Sequence, residues 1–229
     1  DRRKETLAWT TNIPKDNIIA APNVDSIYRV PLSFESQGLT DKILNQFGMP
    51  LKKKNTKEWQ KLVQRITSVR NNKKELNIAV VGKYFETGAY QLADVYISVV
   101  EAIKHASWAN GVRTNLHWVS SLEVENQGAK KVLADFDGIV VPGGFGSRGT
   151  EGMIETIKYA RVNKIPYLGL CYGMQMATIE FARHVAKIRN ANTTEVDGTT
   201  KHAVIHIMPD QEKKVLEKMP EVTFYWAGD

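Results

Sequence analysis

The sequence predicts an α/β protein whose main part is a doubly wound, mostly parallel sheet, preceded by a linker helix and the tail of a second α/β domain. Three observations carry this. From Leu76 onward, short apolar runs alternate with stretches of helical period. Two of these runs end in glycine-rich turns, at 142–146 and 169–173. A lysine-rich helical stretch separates this alternation from the first fifty residues. The expected division is 1–50, 51–75 and 76–229.

Residues 1–34 read as the end of another domain. Within them Asn17–Pro22 reads as a short apolar strand, followed by Asn23-Val24-Asp25-Ser26-Ile27-Tyr28-Arg29-Val30-Pro31. Leu39–Phe47 reads as a short helix that Pro50 closes. Trp59, Leu62, Val63, Ile66 and Val69 then form a helical stripe, read as a packing face, and Asn71-Asn72-Lys73-Lys74 breaks it. Leu76–Val81 is a buried strand ending at Gly82. Residues 91–107 are helical, with Tyr96, Val99, Val100 and Ile103 on one face. Asn115–Val119 is a second strand, Ala129–Leu133 a short helix, and Gly138–Val141 a third strand. Residues 151–162 form a helix through Ile154, Ile157 and Ala160. A fourth strand, 166–170, runs into Cys171 and a helix striped by Met174, Ala177, Thr178, Phe181 and Val185. Strands separated by helices of this length imply right-handed crossovers, and in such sheets function sits at the carboxyl ends of the strands.

The 229 residues suffice for a sizeable core, and the single cysteine excludes an internal disulfide framework. The net charge of +6 does not indicate a nucleic-acid surface. Nine Lys or Arg and two Glu lie between Lys52 and Glu75, which places +7 in one segment and leaves −1 for everything else. Trp59 is the only aromatic residue of that segment, too little for a base-stacking platform. No apolar core follows Asp1-Arg2-Arg3-Lys4-Glu5, and no apolar run approaches a membrane span. A cytoplasmic protein without nucleic-acid or membrane partners is expected. The abrupt ends suggest a fragment of a longer chain.

Gly169 and Gly173 bracket Cys171 as G-x-C-x-G, the nucleophile-elbow pattern with sulfur in place of a hydroxyl. A nucleophile lifted off a strand end sits on a tight turn, where flanking side chains would clash. The helix that follows would aim backbone N–H groups and a partial positive charge at the sulfur, which favours the thiolate. The competing reading is a structural cysteine buried between strand and helix. Thiolate attack on a carbonyl creates an oxyanion that needs fixed N–H donors. Tyr172, after the nucleophile, supplies one, and Gly144 in Pro142-Gly143-Gly144-Phe145-Gly146 can supply another. A plain glycine turn is the alternative. Gly144–Gly149 also spells G-x-G-x-x-G, but the next strand ends in Cys171 and not in the acidic residue that a dinucleotide site uses.

Val140–Gly152, Ile165–Gln175 and Ala191–Glu195 resemble the class I glutamine amidotransferase domain of the CTP synthases, a flavodoxin-like fold. Asn23–Pro31 and Glu35-Ser36-Gln37-Gly38 resemble the end of that family's synthetase domain, and Val81-Gly82-Lys83-Tyr84 the first strand of its glutaminase domain. The resemblance extends to about Pro209. It implies that Cys171 takes the side-chain amide of glutamine, giving a thioester and ammonia, with Gly144 and Tyr172 holding the oxyanion. It implies that Gln175 and Glu195 hold the amino-acid end of glutamine, that Phe145 lies over it, and that Arg148 belongs to a loop associated with GTP activation. Ammonia would then aminate UTP in an ATP- and Mg2+-dependent synthetase domain, with Pro22, Asn23 and Val24 matching a segment of its ATP site. The whole enzyme would be a homotetramer, and the segment in hand would bind no cofactor or metal of its own.

Three departures accompany the resemblance. Asn23 stands where the family has an acidic residue. Thr6, with Lys4 nearby, stands where the family has a lysine associated with UTP, so no UTP residue is carried over. The family's H-P-E motif, source of the triad His and Glu, is absent from the residues after Cys171. His184 lies about 20 Å along the nucleophile's own helix at 1.5 Å per residue. His105 is near the far end of another helix, His117 lies within a strand, and His202 and His206 share a face of an expected strand, Lys201–Met208. None is a ready base. Phe224-Tyr225-Trp226 reads as a buried aromatic strand. A non-catalytic cysteine-elbow module of the same superfamily is the alternative function, but it would have no use for the synthetase-like Asn23–Pro31 segment.

Overall fold

The computed structural model describes residues 2–83 and 96–206. The calls on Tyr84, on residues 91–95 and on everything after His206, Phe224–Trp226 included, lie outside the described residues. The chain divides into two compact units, one of residues 1–72 with Trp108–Gly111 and one of Lys73–Ser107 with Val112–Asp229.

The first unit is helical. It holds α1 (Arg2–Thr11), α2 (Val30–Ser36), α3 (Leu39–Gln46) and α4 (Lys57–Arg70), with short 3₁₀ turns at Lys15–Asn17 and Ile27–Arg29. The expected strand over Asn17–Pro22 does not form. Ala20 there binds a side chain instead of a neighbouring strand. The Gln37 amide accepts from the Ala20 N–H at 2.8 Å and donates to the Ala20 carbonyl at 2.8 Å, reproducing the pairing a strand would give. The linker helix α4 forms as expected and buries Val63, Ile66 and Val69 from its stripe. It is tied to the Asp25–Arg29 segment by the Trp59 indole, which donates to the Tyr28 carbonyl at 2.7 Å, and by Arg29, which donates to Thr67 Oγ1 at 2.9 Å.

The second unit contains β1 (Glu75–Gly82), α5 (Ile97–Asn110), β2 (Arg113–Ser120), α6 (Ser121–Gln127), α7 (Ala129–Leu133), β3 (Gly138–Val141), α8 (Thr150–Asn163), β4 (Tyr167–Gly169) and α9 (Tyr172–His184). The four strands form one parallel sheet in the order β2-β1-β3-β4. A second, two-stranded parallel sheet pairs β5 (Asn192–Thr193) with β6 (Ala203–Ile205). Alternation along the strands separates two apolar layers. Ala79, Val81, Val119, Ile139 and Val141 pack with the buried residues of α6–α9. Val80 and Trp118 pack with Tyr96, Val99 and Ile103 on the opposite face, as the sequence stripe on α5 predicts. Strand order reverses between β1 and β3, the place where open α/β sheets carry their sites.

One expected face is reversed. On α9 Met174 and Phe181, and just past its end Val185, are exposed, whereas Tyr172, Gly173, Gln175, Met176, Ile179, Glu180 and Ala182 are buried. The elbow sets this orientation. A Cβ on Gly173 would lie 2.1 Å from the Val141 carbonyl oxygen, so this residue must face the strands. Met176 and Glu180, at i+3 and i+7 from it, turn inward with it. Glu180 is 1% exposed, and Arg161 of α8 forms a bidentate pair with it, at 2.8 Å to Oε1 and 3.0 Å to Oε2. No helix among the described residues is long and apolar enough to cross a membrane.

Candidate active site

Cys171 lies between β4 and α9, solvent-exposed, as the residue that caps the helix. Its backbone has φ 52° and ψ −107°, a conformation that L-residues seldom adopt. The flanking glycines meet a steric need: a Cβ on Gly169 would lie 2.7 Å from the Gly173 carbonyl carbon and oxygen. The half-buried Tyr167 donates its hydroxyl to the Gly173 carbonyl at 2.8 Å and ties the two sides of the elbow together. Burial holds that phenol above its ordinary pKa and so keeps it a donor. Among the described residues Cys171 has no hydrogen-bonding histidine. His184 instead pairs with Glu180, at 3.2 Å to its carboxylate, and His117 meets the Asn77 side chain at 3.3 Å.

The turn after β3 lies directly against this cysteine. A Cβ on Gly143 would sit 3.5 Å from Cys171 Cβ and 3.7 Å from its sulfur. The Tyr96 hydroxyl donates to the Gly143 carbonyl at 2.9 Å. In a trans peptide this turns the Gly144 N–H to the opposite side, and that N–H has no hydrogen-bond partner among the described residues. Phe145 is 66% exposed at the tip of the turn. Gly146, at φ 78°, donates its N–H to Glu195 Oε1 at 2.7 Å. Gly146 therefore joins the turn to the segment after β5, two regions that the sequence singled out separately.

Tyr172 is fully buried, and its hydroxyl donates to the Gly146 carbonyl at 2.7 Å. Gln175 is 2% exposed on the first turn of α9, and its side-chain oxygen is buried without a hydrogen-bond partner among the described residues. Arg148 is exposed beside the same turn. Pro22, Asn23 and Val24 belong to the first unit, where all three are exposed. The structure thus gathers Cys171, Gly144, Phe145, Tyr172 and Glu195 around two adjacent strand ends.

The sequence reading missed Lys83. It follows β1, is 9% exposed, and donates to the carbonyls of Phe145 (3.2 Å) and Gly146. Its ammonium also lies 4.2 Å from the centroid of the Tyr172 ring. Burial pulls its pKa down to about 8, and the charge of Glu195 opposes that shift. No local signal marked it, since its partners lie in the turn after β3. Gly143 and Tyr96 were likewise not assigned to the site. Among the described residues no three His, Cys, Asp or Glu side chains cluster as metal ligands.

Comparison with known proteins accords with this geometry. The family model of class-I glutamine amidotransferases matches residues 91–226. The chain is 46% identical over 211 residues to a CTP synthase of Herpetosiphon aurantiacus, covering 92% of the chain and 38% of the relative. It is 42% identical over 210 residues to a CTP synthase of Thermococcus gammatolerans, covering 92% and 37%. The chain thus spans less than two-fifths of the length of these curated relatives. Among solved structures it is similar to a Trypanosoma brucei CTPS glutaminase domain with bound acivicin: 40% identity, TM-score 0.54, 59% of this chain and 51% of that one. A cysteine elbow facing a glycine turn, on a sheet of order β2-β1-β3-β4, and these matches lead to one assignment: the chain belongs to the class-I glutamine amidotransferase family and is homologous to the glutaminase region of CTP synthases.

Proposed function

We propose that Cys171 hydrolyses glutamine and that the ammonia released serves the ATP-dependent conversion of UTP to CTP. The observation that carries the first half is the Cys171 elbow facing Gly143–Gly146, with Glu195 fixed on that turn at 2.7 Å. The thiolate attacks the side-chain amide carbon of glutamine and forms a C–S bond. The Gly144 and Tyr172 N–H groups donate to the oxygen and stabilise the negative charge that develops on it. Collapse of this intermediate breaks the C–N bond, and the amine takes a proton and leaves as ammonia. Water then cleaves the thioester to glutamate and restores the thiol. Glu195 receives the substrate ammonium, Gln175 lies at the same end, and Phe145 covers the bound glutamine. The family's H-P-E histidine is the base in this scheme, and no described residue is assigned that role.

The second half rests on the CTP synthase relatives. In this reading residues 1–50 end a synthetase domain, 51–75 link it to the glutaminase domain, and 76–229 belong to the latter. The division of the structure at Asn72 supports this reading, as does the exposure of Trp9 (86%), Ile27 (71%) and Phe47 (73%) in the first unit. Pro22, Asn23 and Val24 contribute to the ATP site, and Arg148 to activation by GTP. Mg2+ accompanies ATP and is assigned to no residue of this chain. The assembly is a cytoplasmic homotetramer. The test follows ammonia release from glutamine and CTP formation from UTP and ATP by the protein as its gene encodes it. Cys171→Ser should abolish glutamine-dependent CTP formation and leave ammonia-dependent formation intact. Undiminished glutamine use by that variant would refute the reading.

A further inference from the structure

Lys83 lies beneath the turn that faces Cys171, and the sequence gives it no role. The carbonyl it holds on Phe145 and the N–H that Gly146 gives to Glu195 belong to the same peptide group. A trans peptide points these two groups in opposite directions. That peptide therefore lies between a cation and an anion, each polarising it in the same sense. The next carbonyl, on Gly146, takes Lys83 and the Tyr172 hydroxyl together. Tyr172 and Glu195 are also the groups that face the ammonium, from α9 and from the segment after β5. A residue placed in this way fixes the two peptide groups that follow Phe145, and with them the Gly146 N–H that Glu195 accepts.

We infer that Lys83 is the positioning residue of the glutaminase site: its buried ammonium holds the Phe145 and Gly146 carbonyls inward and so keeps the Gly146 N–H, and Glu195 bound to it, in the place that receives glutamine. The inference rests on the proposed glutaminase reading. Lys83 acts through the Phe145 and Gly146 carbonyls, so its loss should weaken the recognition of glutamine and leave the thiol intrinsically reactive. A lysine kept in so buried a place against the cost of desolvation suits a functional role better than a packing one.

The test uses Lys83→Met and Lys83→Gln in the protein as encoded. Lys83→Met should raise the half-saturating glutamine concentration by about tenfold or more, the range for losing hydrogen bonds to a charged group. Lys83→Gln, which can still donate to the carbonyls, should fall between Met and wild type. Ammonia-dependent CTP formation and the alkylation of Cys171 by iodoacetamide should stay within about twofold of wild type in both variants. If Lys83→Met does not fold, a rise of about threefold or more in Lys83→Gln supports the inference. Glutamine saturation within about twofold of wild type in every folded variant overturns it, as does an equal loss of ammonia-dependent activity. A wild-type protein that releases no ammonia from glutamine would instead refute the glutaminase reading itself.

Discussion

Lys83 and Glu195 hold opposite ends of a single peptide group. Lys83 donates to the Phe145 carbonyl at 3.2 Å, and Glu195 accepts the following Gly146 N–H at 2.7 Å. The ammonium follows the end of β1, and the carboxylate follows β5. A turn only a few residues long thereby ties two parts of the second unit to the end of the sheet that carries Cys171.

This arrangement gives a pH signature. The Lys83 pKa is about 8 in the folded protein, against 10.5 for the free side chain. Between these values the unfolded chain binds more protons than the native one, so raising the pH favours the native state. Below about 8 both states are protonated and the full cost of burying the charge is present. The thermal midpoint of wild type should therefore rise relative to that of Lys83→Met between about pH 8 and 10.5. Calorimetry of the two proteins side by side measures this, since other groups cancel in the difference. A constant difference across that window would contradict the shift.

Glu195→Gln should raise the half-saturating glutamine concentration by roughly 10- to 100-fold, the range for losing a charged partner of the substrate ammonium. The Gly146 N–H keeps an acceptor in the amide oxygen, so the turn should hold its shape. Steady-state kinetics with glutamine and, separately, with ammonia distinguish the roles. Equal loss with both nitrogen sources in a folded variant would make Glu195 a structural residue.

Gly173→Ala should be among the most damaging small substitutions. Its Cβ would meet the Val141 carbonyl oxygen at 2.1 Å, and a backbone oxygen in the middle of a sheet cannot move aside. A loss of about 1–3 kcal/mol of stability is expected, the usual cost of overpacking a core. Denaturant unfolding measures it. A stability equal to wild type would mean that the elbow can shift, and would weaken the steric account of G-x-C-x-G.

What the sequence made legible follows from where the constraint acts. The elbow was readable because Gly169 answers a contact within a few residues, with Gly173 on the other side of Cys171. β3 was readable because a parallel strand buried on both faces is written as a continuous apolar run. The packed face of α9 was misread because apolar spacing was counted from Met174, whereas the close contact at Gly173 fixes the rotation of the helix. Asn17–Pro22 was misread because an apolar run does not reveal whether a strand lies beside it, and here the Gln37 side chain does. Lys83 escaped notice because its partners lie 62 and 63 residues away. No local pattern marks a cation that acts by holding carbonyls across a turn.

The measurement that bears most directly on the central claim is covalent labelling of the protein with a glutamine-analogue electrophile such as a diazoketone, followed by peptide mass analysis. The account predicts one label per chain, on Cys171, with free glutamine slowing the reaction and Cys171→Ser abolishing it. No labelling of the native protein, labelling elsewhere, or a rate that glutamine leaves unchanged would contradict it.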